Sequence, residues 1–557
     1  ELVARRLLDT LPPPGGGRIA AQLAWVGEVL TAAPGEDDAG APAVRDYRGS
    51  GLDGHLDHIA DVLALSAHHH ARAFRAFDAG ELKFLERAAG GLLQGFVDAH
   101  MMCFDDDLGR QRDNVRLLGL AHRLDTGALL RQAEALARLA DAPFLASLRG
   151  LMEAVPERGG QIARRDTPWG EILLMGTNNT SFPRGAPAAL FKLGGDDFYA
   201  HNTGSSLPGR LPGAVLVDFG GDDRYENWET MRQGTGFMGV GILLDLAGND
   251  TYIGIRHAQG TGFLGIGVLA DAAGDDTYRA IDYAQGVGQF GAGLLLDDAG
   301  ANRYEGHQAC QGVGFPGGAG LLFSAAADGA DTYYNKGQYA SSYRDPGSFE
   351  GWGQGLGVGH RPYASGGIGM LVDGGGNDRF EGGAFSQGGG YYYGLGILNN
   401  RGGDDSYRGS RYNMGFTAHQ AVGVFLDDGG NDRYETSHYV ALGMAWDESV
   451  TLFADRAGDD AYRAPGFAYA AAAQNGFALF IEGGGNDTLG GTQPARIHGN
   501  SYHGGSSLAV FLGLGGGARA YPQRLPGEIA AVDKGEAFFI DSPTIETAIK
   551  RLRAEPN

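Results

Sequence analysis

Carboxylates recur in this chain at a fixed spacing. The phrase Asp-x-x-Gly-[Asp/Asn]-Asp-x-Tyr occurs eleven times, about every 26 or 27 residues, as in DFGGDDRY ending at Tyr225, DLAGNDTY at Tyr252, DGGGNDRF at Phe380 and DDGGNDRY at Tyr434. The first, fifth and sixth positions together supply 23 carboxylates, a number equal to the net charge of −23. The acidity is therefore an ordered array. If the copies stack, Asp218, Asp245, Asp271 and Asp297 form one column and Asp223, Asp250 and Asp276 another. Asp373, Asp427 and Asp455, with Asp378, Asp405, Asp432, Asp460 and Asp487, repeat the arrangement. Like charges about 5 Å apart repel by about 3 kcal/mol per pair at an effective dielectric near 20. Two chemistries relieve this. A hard cation with oxygen ligands, Ca²⁺ above all, would use Asp218, Asp223, Asp245, Asp250, Asp271, Asp276, Asp373, Asp378, Asp427, Asp432, Asp455 and Asp460 as ligands. Alternatively, each Asp caps its own turn through an Asx-type hydrogen bond and holds no metal.

A second group of candidates lies where the period breaks. From Tyr333 to Gln354 is 21 residues, whereas Tyr304 to Gln311 is 7, and a further insertion follows Gln354. The inserts, roughly ASSYRDPGSFEGWG and HRPYASG, gather Tyr343, Arg344, Asp345, Trp352, His360 and Arg361. Aromatic rings with Arg, Asp and His suit stacking on sugars and bonding to hydroxyls or carboxylates. Asp345 with Glu350 is a candidate carboxylate pair for glycosidic cleavage. The bland alternative is a loop that only packs on its own scaffold.

The elements that must position these residues follow from the period. A repeat of this length signals a solenoid. One unit reads GIGVLAD, a strand, then the turn AAGDD, then the strand TYRAIDY and a third after a corner, AQGVGQF. Three short strands per repeat make one coil of a parallel β-helix. The expected architecture is mainly β: a parallel β-solenoid of about eleven coils over 166–517, an α-helical domain over 1–165, and a C-terminal cap over 518–557. Gly is 97 of 557 residues, as close backbone approach requires. Tyr at the eighth position would stack from coil to coil. Gln233, Gln259, Gln285 and Gln311, 26 apart, would form a ladder of amides. The helical segment and the helix-like tail PTIETAIKRLRAEPN would cover the rod's ends.

The turn phrase resembles the nonapeptide repeat of RTX proteins, Gly-Gly-x-Gly-x-Asp-x-(apolar)-x, most clearly in GGGNDRFEGG (374–383) and GGGNDTLGG (483–491). The resemblance implies Ca²⁺ held between stacked turns by turn carbonyls and by Asp378, Asp487 and their equivalents. It also implies secretion. The likeness covers about eight residues per coil. It departs from the family in occurring once per coil and in having Asp rather than Gly at the first position.

Composition narrows the partners. Strong net acidity argues against nucleic acid and anionic membrane surfaces. No apolar run approaches 18 residues, so no span of the membrane is expected. Cys103 and Cys310 give no disulfide framework. The start at Glu1 is consistent with a trimmed signal peptide. His55, His58 and the run His68–His70 could be imagined as a zinc or haem site, but they lack HExxH or CxxCH context and read as surface or core residues. The expectation is an exported protein, periplasmic, at the cell surface or extracellular. It would be a Ca²⁺-stabilised structural or binding component contacting protein partners or polysaccharide. The alternative is a β-helix lyase, hydrolase or epimerase acting on an acidic polysaccharide.

Overall fold

The computed structural model describes residues 2–12, 19–30, 40–98, 108–200, 202–498, 504–522, 528–532, 535–544, 546–547 and 549–550. Cys103 and residues 551–557 lie outside them. The chain is a parallel β-solenoid of about 12 turns preceded by helices. It divides into two compact units. One holds Arg5–Gly306 with Pro316–Ala325; the other is built on His307–Phe315 and the described residues from Ala326 onward.

In the first unit, parallel strands Gly213–Asp218, Val240–Asp245, Ile266–Asp271 and Ala292–Asp297 follow one another in one sheet. Their register aligns Asp218, Asp245, Asp271 and Asp297. A second sheet stacks Tyr199, Tyr225, Tyr252, Tyr278 and Tyr304. Ring centroids in this column are 4.7–5.0 Å apart. The coil spacing thus equals both the strand spacing of a sheet and a comfortable ring stack. A third sheet of two-residue strands closes each coil. The second unit repeats the scheme, aligning Asp427 with Asp455 and stacking Phe380, Tyr407, Tyr434 and Tyr462.

The invariant turn Gly has a steric cause. At Gly274 φ is +147°, and a Cβ would stand 1.6 Å from the carbonyl oxygen of Gly248 one coil earlier. No side chain fits there at this coil spacing.

Among the described residues, seven α-helices precede the sheets. Leu52–Ala73 and Thr126–Ala137 pack together and against the early coils, where Gln132 donates to the carbonyl of Pro212 and a His70 ring nitrogen meets that of Met238. His55 and His58 are buried against Tyr47 and Phe144. Both rings lie in the core of the helical segment.

Three details differ from the sequence reading. The β region starts earlier, with an antiparallel hairpin Gln161–Thr167/Gly170–Met175. It also runs later, because Gly535–Asp541 joins the first sheet and Glu528–Val532 pairs antiparallel on it. The glutamines do not bond one another. Gln259 Nε2 donates to the carbonyls of Tyr252 (3.0 Å) and Arg279 (2.9 Å), stitching its own coil to the next. A backbone carbonyl at the corner is a nearer acceptor than the neighbouring amide.

Candidate functional site

The turn column is a bonded lattice. Each first-position Asp accepts its own turn's amide, as Asp245 Oδ1 does from Ala247 N at 3.2 Å. Its Oδ2 accepts the Tyr hydroxyl of the preceding coil, as from Tyr225 at 2.7 Å. The sixth-position carboxylate accepts the amide of the sixth residue one coil earlier: Asp250 Oδ1 from Asp223 N at 2.5 Å. The fifth position runs the opposite way, with Asp222 Oδ1 accepting from Asn249 N at 2.9 Å. Two antiparallel side-chain ladders therefore bind every turn to its neighbours. The Asx-type capping weighed from the sequence is present, and it extends between coils.

All eight first-position carboxylates receive a Tyr hydroxyl: Asp218, Asp245, Asp271, Asp297, Asp373, Asp427, Asp455 and Glu482. Where the preceding ring is Phe, the first position is not acidic. Lys192 follows Phe182, and Asn400 follows Phe380. Loss of the hydroxyl coincides with loss of the carboxylate that needs it.

Groups such as Asp223, Asp245 and Asp250 have oxygens within 4.8 Å of one another, so spacing alone admits a cation. Most of these oxygens already serve as hydrogen-bond acceptors. Three of the four oxygens of the Asp245/Asp250 pair already accept an N–H or O–H. Only Asp250 Oδ2 remains, whereas Ca²⁺ takes about six to eight oxygens. Asp487, given a ligand role by the resemblance, is instead bound by Arg519 Nε at 2.8 Å. The same holds across the candidate ligands: Asp218/Asp223, Asp271/Asp276, Asp373/Asp378, Asp427/Asp432 and Asp455/Asp460 repeat the arrangement, each sixth-position Oδ2 lacking a donor. Burial pushes these carboxyls up: Asp223 to about 10, Asp250 and Asp432 to about 9, and Asp276, Asp378 and Asp460 to about 7.

The irregular coil splits its candidates between core and surface. Trp352 is fully buried, stacked on Phe385 with centroids 4.0 Å apart. Its Nε1 donates to Glu350 Oε2 at 2.6 Å, and Ser342 N donates to Oε1. Glu350 thus spends its charge inside the fold. His360 is buried too, and burial pushes its imidazole down to about 3. Asp345 pairs with Arg411 at 2.8 Å, and that guanidinium lies 4.1 Å over the Tyr343 ring. Arg344 and Arg361 are exposed, the latter 3.2 Å from His419 Nε2. Trp352, His360 and Glu350 are therefore scaffold, and the carboxylates of Asp345 and Glu350 do not converge on an open cleft.

Beside this coil runs a groove of 510 Å³. The insert contributes Gly347–Phe349, and later coils contribute Gly383, Arg408–Ser410, Glu435–Ser437 and Arg463–Pro465. Three cations, Lys336, Arg408 and Arg463, line it against one carboxylate, Glu435. The charges are held in register, Arg408 beside Glu435 and Glu435 beside Arg463. The hydroxyls of Ser348 and Ser410 are buried in its wall without a hydrogen-bond partner. The first unit carries a smaller depression of 430 Å³ lined by Arg184, Arg210 and Arg232 around Trp228, which is 71% exposed. Sequence reasoning missed both. The residues flanking Tyr in each motif carry no signal beyond that of a strand, and the only signal at Trp228 is one extra residue between Tyr225 and Gln233. Comparison with protein-family models, curated proteins and solved structures finds no match.

Proposed function

We propose that this chain is an exported, non-enzymatic binding component of a surface or extracellular assembly, and that its groove takes an extended anionic polysaccharide. The observation that carries the reading is the groove itself. In a chain of net charge −23, its lining holds three cations to one carboxylate and two buried hydroxyls with no partner. Arg408 and Arg463, two coils apart on either side of Glu435, suit a polymer with regularly spaced carboxylates. The exposed Trp228 ring amid three arginines offers the same chemistry on the first unit: a stacking platform with charge.

Calorimetric titration of the full chain with polygalacturonate, with neutral dextran as control, tests this. Binding to the polyuronate alone is expected, weakening as salt rises toward physiological strength. Arg408→Ala with Arg463→Ala should reduce affinity by about tenfold or more, roughly 1.4 kcal/mol. Equal binding to dextran, or an affinity unmoved by the double substitution, would remove the groove from the function.

A further inference from the structure

Between the first and sixth side chains of each turn lies a position that different coils fill differently. In the earliest such turn Lys192 Nζ sits 2.7 Å from Asp197 Oδ2, both wholly buried. Where the sixth residue is Asn302, its Nδ2 donates to Asp297 Oδ1 at 2.8 Å. Where the first residue is Asn400, its Nδ2 donates to Asp405 Oδ2 at 2.7 Å. At the last turn Arg519 Nε reaches Asp487 Oδ2 at 2.8 Å. An ammonium, two amides and a guanidinium share one property: each brings a nitrogen donor group to within 2.8 Å of a carboxylate oxygen.

Six turns have Asp at both positions: 218/223, 245/250, 271/276, 373/378, 427/432 and 455/460. All twelve side chains are buried. No donor reaches Oδ2 of Asp223, Asp250, Asp276, Asp378, Asp432 or Asp460. In five of the pairs, 218/223, 245/250, 271/276, 427/432 and 455/460, oxygens of the two carboxyl groups lie within 4.8 Å of one another. Two carboxylates cannot hydrogen-bond without a hydrogen. We propose that each of these six pairs holds one proton, a carboxylic acid donating to a carboxylate, in the place that lysine, asparagine and arginine take in the other turns.

The surroundings offer no other compensation. The Asp245/Asp250 pair faces Asp218, Asp223 and Tyr225 from the coil before, Tyr252 of its own coil, and Asp271 and Asp276 from the coil after. Exposed Asp222 and Asp275 stand beside the same column. No cation is among these groups. Burial and like charge both favour the neutral form of a carboxyl, in keeping with the raised values of Asp223 and Asp250. A proton fits between two such carboxyl groups without displacing a backbone donor. Six turns then carry one negative charge each where the composition counts two.

Native charge separates this from an ionised pair. In capillary electrophoresis of the full chain at pH 7.5, Asp250→Asn should leave the folded charge unchanged, because the lost carboxyl was carrying the proton. Asp166→Asn, an exposed control with its side chain 79% accessible, should shift the charge by one unit. A one-unit shift for Asp250→Asn overturns the proposal. If that variant does not fold, infrared spectroscopy of the unsubstituted chain decides: a carboxylic-acid carbonyl band near neutral pH, lost on unfolding, is expected, and its absence overturns the proposal. Elemental analysis guards the alternative. Ca²⁺ bound in proportion to the six pairs, with a fall in Tm on chelation, would assign the position to metal. The direction with pH is fixed as well. Raised folded values mean stability is fullest below the unfolded value near 4 and is lost as pH rises through about 7 to 10. The Tm should therefore fall between pH 6 and pH 9, and a rise would count against the protonated pairs.

Discussion

The second sheet handles charge in opposite ways on its two faces, only one residue apart. Inward, Asp223 and Tyr225 are buried, and in a turn such as Asp218/Asp223 three of the four carboxylate oxygens are bonded. Outward, Arg224 and Glu226 pair with each other in solvent. The inner face is unforgiving, since a buried polar group that loses its partner costs its full desolvation. The outer face is tolerant, and its composition drifts between Arg, Thr, Ser and Ala at the seventh position. The difference teaches that net charge misdescribes this molecule. Eighteen of the motif carboxylates, at the first and sixth positions, are buried. The surface a polymer would meet is set by the outer face, where Arg and Lys outnumber Glu beside the groove.

The largest effect expected on the inner face is steric. Gly274→Ala would put a Cβ 1.6 Å from a backbone oxygen at φ +147°. The coils cannot separate without breaking their ladders, so a loss above about 4 kcal/mol, or failure to fold, is expected. Gly119→Ala, in the helix Leu108–Ala121 with nothing within 4 Å of the added carbon, should be neutral or gain up to about 1 kcal/mol. Thermal melts of the two variants check this. A mild effect at Gly274 would mean the turns stack less tightly than described.

Next in size is the hydroxyl that serves each carboxylate. Tyr252→Phe removes the donor to Asp271 Oδ2, 2.7 Å away, and should cost about 1–3 kcal/mol. Asp271→Asn added to it should recover part of that loss, because the chain already uses the combination of Phe380 and Asn400 in successive coils. A double-mutant cycle measured by denaturant unfolding gives the coupling. Additive losses would show the coincidence of Phe and non-acidic residues to be unrelated to bonding.

The inner lattice was legible in the sequence because it repeats. Period fixed the coil, and alternation fixed which side of the strand Tyr faces. Stacking then followed for Asp218, Asp245 and Asp271. What the period could not convey was direction: whether a side chain bonds within its coil or to the next. Gln259 and Asp250 both bond between coils, and both reach backbone groups rather than their equivalents. The irregular coil was legible as an insertion but not in its burial. Trp352 and Glu350 looked like ligand contacts because aromatic and acidic residues in an insert usually face solvent. Here they satisfy each other, indole to carboxylate, under a lid of Phe385 and Tyr391. The groove was hidden for the opposite reason. It is built from Gly409, Ser410, Ser437 and Ala464, residues too plain to stand out, and its charges come from strand positions that vary.

The smallest effect belongs to the outer face and sets the scale for the others. Glu305 is paired with Arg279 across coils at 2.7 Å and with Arg303 in its own coil, yet Arg279 and Arg303 remain about half exposed. Solvent screens such pairs, and ordering two long side chains offsets much of their attraction. Glu305→Gln should therefore shift stability by less than about 1 kcal/mol, and raised salt should erase even that. Denaturant unfolding at low and high salt measures it. If Glu305→Gln instead costs as much as the loss of a Tyr252 hydroxyl, the two faces are not distinct in kind. The cation ladder would then be part of what holds the coils together, no longer free to serve a ligand.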